Sequence, residues 1–109
     1  MTRTEAYTTI TRAAEQFGFQ TSIEPYRIWI KDDDRHDVNF NVTEHNHFNI
    51  ADGKVTEVTT DFEFSASIAR MGGNPTPAEL IESSNRIGAA ANLVTLLQSL
   101  NLSFTEEIA

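Results

Sequence analysis

Val38-Asn39-Phe40-Asn41-Val42-Thr43 alternates apolar and polar residues without a break, the pattern of a strand with one buried face. Val38, Phe40 and Val42 point one way, and Asn39, Asn41 and Thr43 the other. Phe48 and Ile50 continue the pattern, with His47 and Asn49 facing away. Asp52-Gly53 follows, and a glycine that accepts positive φ marks a hairpin turn. Beyond it Val58, Thr60, Phe62, Phe64, Ala66 and Ile68 hold one parity along a β-rich stretch. Val55 breaks that parity, so a bulge or register change is expected near Thr56. Two strands of the same period on either side of a tight turn make the centre of this chain an antiparallel sheet.

The pattern extends outward in both directions. Tyr26, Ile28 and Ile30 alternate with Arg27, Trp29 and Lys31, and Phe19 to Ile23 is a short extended segment ended by Pro25. Asp32-Asp33-Asp34-Arg35-His36 reads as a polar connection. Before the strands, Tyr7, Ile10, Ala14 and Phe17 recur at helical spacing over Thr4 to Phe17. Thr4 is the expected N-cap and Gly18 the stop. After the strands, Met71-Gly72-Gly73-Asn74-Pro75 is a loop. Thr76-Pro77-Ala78-Glu79 then opens a long helix, with Thr76 as cap, Pro77 at the first position and Glu79 as capping-box partner. Asn101 is the expected stop, and Leu102 and Phe104 form a last short strand or a docking tail. The resulting expectation is an α+β fold in one domain spanning residues 1–109. It is an antiparallel β-meander of four to five strands, with an N-terminal and a long C-terminal helix packed on one face.

The final helix carries two apolar faces. At roughly 100° per residue, Leu80, Ser84, Ile87 and Ala91 fall on one side, and Leu93, Leu96, Leu97 and Leu100 nearly opposite. One core cannot cover both sides of a straight helix. Either the helix kinks near Gly88, or a second chain covers the leucines. The expected assembly is a homodimer through Leu93, Leu96, Leu97 and Leu100.

Composition bounds the function class. The chain has 109 residues, 39% hydrophobic and 22% charged, which reads as a globular domain. It has no cysteine, which rules out disulfides and thiolate zinc sites and suits a cytoplasmic location. No apolar run approaches the ~20 residues of a membrane span, and the N-terminus has no signal-like apolar segment. A net charge of −8 disfavours nucleic acid and anionic membranes as partners. It is compatible with a basic protein partner, including an enzyme whose nucleic-acid site an acidic decoy would block.

Several constellations bear on chemistry. His45 and His47 share one strand face and can reach one metal, with His36 or Asp52 as further candidate ligands. The pair is shared with the cupin metal motif, but the Glu expected about four residues later is missing. These histidines are therefore expected to be ordinary surface residues, with no metal and no cofactor. Asp32, Asp34 and His36 alternate as in a calcium loop but lack its central Gly and distal Glu. Asp61 and Glu63 share a strand face, as paired carboxylates do in glycosidases, without a reason for one to be buried. Gly72-Gly73 lacks the Lys of a phosphate loop. Arg27, Trp29 and Lys31 form a basic, aromatic stripe facing away from the helices, and Trp and Arg are frequent binding hot spots.

Phe48-Asn49-Ile50-Ala51-Asp52-Gly53-Lys54-Val55-Thr56-Glu57 is similar to the strand-turn-strand of the nuclear transport factor 2-like fold. The similarity covers about ten residues. One leading and one long trailing helix depart from that fold's layout, so no site residue is carried over. In topology alone, the chain also looks like small secretion-chaperone and immunity-type proteins. The expectation is a non-enzymatic binding or adaptor protein acting through protein–protein contacts, with Arg27, Trp29 and Lys31 at the partner surface. The alternative is a metal-dependent or acid–base enzyme built on His45, His47 and nearby carboxylates.

Overall fold

The computed structural model describes residues 1–32, 38–68 and 76–108. The polar connection through Asp34 and His36 and the Met71–Pro75 loop lie outside the described residues. The elements run α1 (Arg3–Gln16), β1 (Gln20–Glu24), β2 (Arg27–Lys31), β3 (Val38–Ala51), β4 (Lys54–Ile68), α2 (Pro77–Ser99) and β5 (Phe104–Glu107). The strands form one antiparallel sheet in the order β1-β2-β3-β4-β5. Each strand pairs with its sequence neighbour, as short connections favour.

The β3–β4 hairpin dominates the sheet. At its tip, Asp52 (φ 53°) and Gly53 (φ 73°) both take positive φ, the geometry whose twist matches the flanking strands. Asn49 faces Glu57 while Ile50 faces Val55, so Thr56 is the extra residue of a bulge. Its hydroxyl donates to the Asn49 carbonyl at 3.2 Å. This is the register change that Val55 signals in the sequence. Between β1 and β2, Pro25 sets the bend and Tyr26 takes the positive φ (67°), a position more often filled by glycine.

Both helices start on Thr-x-x-Glu. In α1 the cap is Thr2, not Thr4. The Thr2 hydroxyl accepts from the Glu5 N–H at 3.1 Å, and a Glu5 carboxylate oxygen accepts from the Thr2 N–H at 3.2 Å. Thr2 lies three residues before Glu5, the spacing that closes this reciprocal pair, and Thr4 does not. In α2 Thr76 accepts from the Glu79 N–H at 3.2 Å, Pro77 occupies the first turn, and Asn101 follows with φ 48°.

Both helices lie on one face of the sheet. The core joins Ile10, Ala13 and Ala14 of α1 to Phe19, to Ile28, Ile30, Phe40 and Val42 of the sheet, and to Ala90, Leu93 and Leu97 of α2. This removes Leu93 and Leu97 from the expected dimer surface, because both are fully buried inside their own chain. The reason lies in the chain's return path. Immediately after α2 the chain turns back through Asn101 to pair β5 with β4, which brings the last turns of the helix onto the sheet. Leu96 and Leu100 remain partly exposed, and so do Leu80, Ile81 and Ile87 at the other end. The helix runs continuously through Gly88. Two opposed apolar faces exist; the core covers Leu93 and Leu97 of one, and the Leu80–Ile87 face lies outside it.

The molecule is long. It measures 62 × 23 × 20 Å with a radius of gyration of 17.0 Å, against the ~13 Å of a compact chain this size.

Candidate functional site

The open face of the sheet carries no helix. Antiparallel pairing places His45 directly opposite Asp61, Thr43 opposite Glu63 and His47 opposite Thr59. All of these side chains point away from the core, because strand parity sends Phe40, Val42, Phe62 and Phe64 inward. Asp61 therefore stands between the two imidazoles. Its Oδ1 lies 3.2 Å from His45 Nδ1 and its Oδ2 3.0 Å from His47 Nε2. Glu63 Oε1 lies 3.5 Å from His45 Nδ1. The rings meet edge to face with centroids 4.4 Å apart. One ligand atom from each of His45, His47 and Asp61 fits within a 4.8 Å span.

Sequence reading singled out the histidine pair and the carboxylate pair separately. The structure brings the two pairs together, while Asp52 stays at the hairpin turn. The missing information was the register between two strands, which neither strand's own sequence contains.

Arg27 and Trp29 occupy the same open face on β2. The Arg27 guanidinium lies 5.1 Å from the centre of the Trp29 ring, and Glu24 on β1 receives both the Trp29 Nε1–H at 3.0 Å and the Arg27 Nε–H. The tryptophan is half-buried under its neighbours' side chains. Lys31 lies on the same face, two residues on. The stripe is thus a small, internally bonded platform rather than a set of loose side chains.

On the helix face, Glu44 is a buried charged group of β3 set against α1. Its side chain has no exposure, and it receives the Tyr7 hydroxyl on one oxygen. Arg3 Nη2 approaches the other at 3.2 Å, an ion-pair contact without a hydrogen bond. Burial, followed by the hydrogen bond and charge of Glu44, pushes the Tyr7 hydroxyl well above the usual phenol range, with Arg3 acting weakly in the opposite sense.

Among the described residues, apolar side chains stay uncovered at the hairpin tip and on α2, and also at Ile23 and Tyr26 beside the β1–β2 turn. At the hairpin tip, on the helix side but beyond the helices, Phe48 is 60% and Ile50 67% exposed, with Val55 and Ile108 nearby. On α2, Leu80 is 55% and Ile81 63% exposed, with Ile87 further along. A cavity of about 450 Å3 lies between β4 and the exit of α2, walled by Phe62, Phe64, Leu97 and Leu102 among others. Sequence reading gave no sign of it, because it depends on how the chain leaves α2.

No protein-family model matches the chain, and no curated protein or solved structure matches it either. No helix among the described residues is long and apolar enough to cross a membrane.

Proposed function

We propose that this chain is a non-enzymatic binding protein that acts in the cytoplasm through protein–protein contacts as a homodimer. The observation that carries this reading is the uncovered stripe on α2. Leu80, Ser84, Ile87 and Ala91 recur at helical spacing, all exposed, on the side of the helix away from Leu93 and Leu97. Two features favour a second copy of the chain as its occupant. The stripe mixes large with small residues, so two such helices can approach closely and interdigitate. A two-fold axis also lets one patch serve both partners. The dimer would then present two copies of the open sheet face, and Arg27, Trp29 and Lys31 form the contact platform for a further protein. The net charge of −8 favours a basic partner and argues against nucleic acid.

The test is the double substitution Leu80→Glu plus Ile87→Glu. Neither side chain belongs to the core, so the variant should keep the wild-type circular dichroism spectrum and scatter light as a monomer. A variant that retains the wild-type dimer mass would refute this interface. Loss of the folded spectrum would refute the assignment of this face as the outer one.

A further inference from the structure

We propose that His45, His47, Asp61 and Glu63 form a binding site for one zinc-class divalent metal on the open face of the β3–β4 ladder. The donor set is the first argument. Two imidazoles and a carboxylate, with a second carboxylate beside them, are borderline nitrogen and hard oxygen ligands that suit zinc and its neighbours rather than calcium.

Spacing is the second argument. Zinc bonds of about 2.0–2.1 Å put the ligand atoms of a tetrahedron about 3.3 Å apart. The neighbouring donors stand at 3.2 Å (His45 Nδ1 to Asp61 Oδ1), 3.0 Å (His47 Nε2 to Asp61 Oδ2) and 3.5 Å (His45 Nδ1 to Glu63 Oε1). The first two contacts use different oxygens of Asp61. One ligand atom from each of His45, His47 and Asp61 lies within 4.8 Å of the others, so small side-chain rotations would bring them to the ~3.3 Å edges of a tetrahedron. Both imidazoles already stand beside the carboxylate that would share the ion with them.

The scaffold is the third argument. His45 and His47 lie two apart on β3, and Asp61 and Glu63 two apart on β4. Continuous pairing on both sides of this quartet fixes the backbone, and β5 holds β4 from its other edge at Glu57 to Thr60. Rigid strands position ligands better than loops do. All four side chains are roughly half exposed, which leaves an open path for the ion and room for a water in its shell. The two carboxylates offset the charge of the dication, in a chain whose net charge of −8 already attracts cations. The rival to a metal site is a self-contained network in which Asp61 simply accepts from both imidazoles.

Cobalt and zinc titrations of untagged, chelator-treated protein separate the two. The site predicts one cobalt per chain with the visible absorption of a tetrahedral centre, displaced by zinc. His45→Ala, His47→Ala and Asp61→Asn should each weaken binding by at least about tenfold, since even the outer partners of metal ligands carry effects of that size. His36→Ala, the control for the chain's remaining histidine, should leave it unchanged. In the wild-type protein, zinc should shift the ring-proton resonances of His45 and His47 together at one equivalent, a readout independent of any variant. Absence of saturable binding at micromolar metal would overturn the proposal, and so would unchanged binding in the His45→Ala plus His47→Ala variant. Loss of binding on His36→Ala alone would do the same. None of these outcomes depends on the oligomeric state of the chain.

Discussion

Glu44 is a carboxylate with no access to water, placed where the sheet meets α1. A charge in that position persists only if its partners offset the lost hydration. Tyr7 supplies a hydroxyl and Arg3 a guanidinium, so one short stretch of α1 holds the group that pins the helix to β3. Tyr7→Phe keeps the ring and removes the donor, and should cost about 1–3 kcal/mol in urea denaturation. The same pair sets an alkaline limit. In the folded chain the Tyr7 proton is held more tightly than in the unfolded chain, whose tyrosines ionise near pH 10. This contribution is complete below about pH 10 and is lost as the pH rises beyond it, because the unfolded state then releases the proton first. Tyr7→Phe should flatten that alkaline slope, and an unchanged slope would show that Tyr7 is not its source. Gly53 isolates a different effect. A Cβ added there meets nothing within 4 Å, but the backbone sits at φ 73°. Gly53→Ala should therefore cost about 1–2 kcal/mol through conformation alone, measurable as a lowered melting temperature.

At the scale of elements, α2 shows what local sequence does and does not determine. Its start was legible, because the Thr76 hydroxyl satisfies the Glu79 N–H and Pro77 has no N–H to leave unpaired, whatever the fold. Thr76→Ala should cost about 1 kcal/mol, and an unmoved melting temperature would contradict the cap. The presence of two apolar faces was legible as well. Which face meets the core was not, because helical periodicity gives relative angles and not the orientation of the helix on the sheet. That orientation comes from Phe104 and the return of β5 to β4, a contact distant in sequence. Leu93→Ala should destabilise by about 2–5 kcal/mol, as a truncation inside a packed core does. The strands behaved similarly. Alternation told which residues of β3 and β4 share a face, including the bulge at Thr56. The meeting of His45 and His47 with Asp61 and Glu63 needed the register as well, and a shift of one residue would have sent one pair to the opposite face.

At the scale of the whole molecule, the helices cover only part of a sheet whose central hairpin reaches well past them. A 62 Å molecule built from a single 109-residue chain leaves apolar side chains uncovered at the hairpin tip and on α2. The helix stripe is proposed to be closed by a second copy, and the open sheet face to be turned toward other partners. The equilibrium mass of the wild-type protein tests this account most directly. Sedimentation equilibrium at high micromolar concentration should give twice the 12.2 kDa chain mass, with dissociation on dilution. A single species at 12.2 kDa across that range would contradict it.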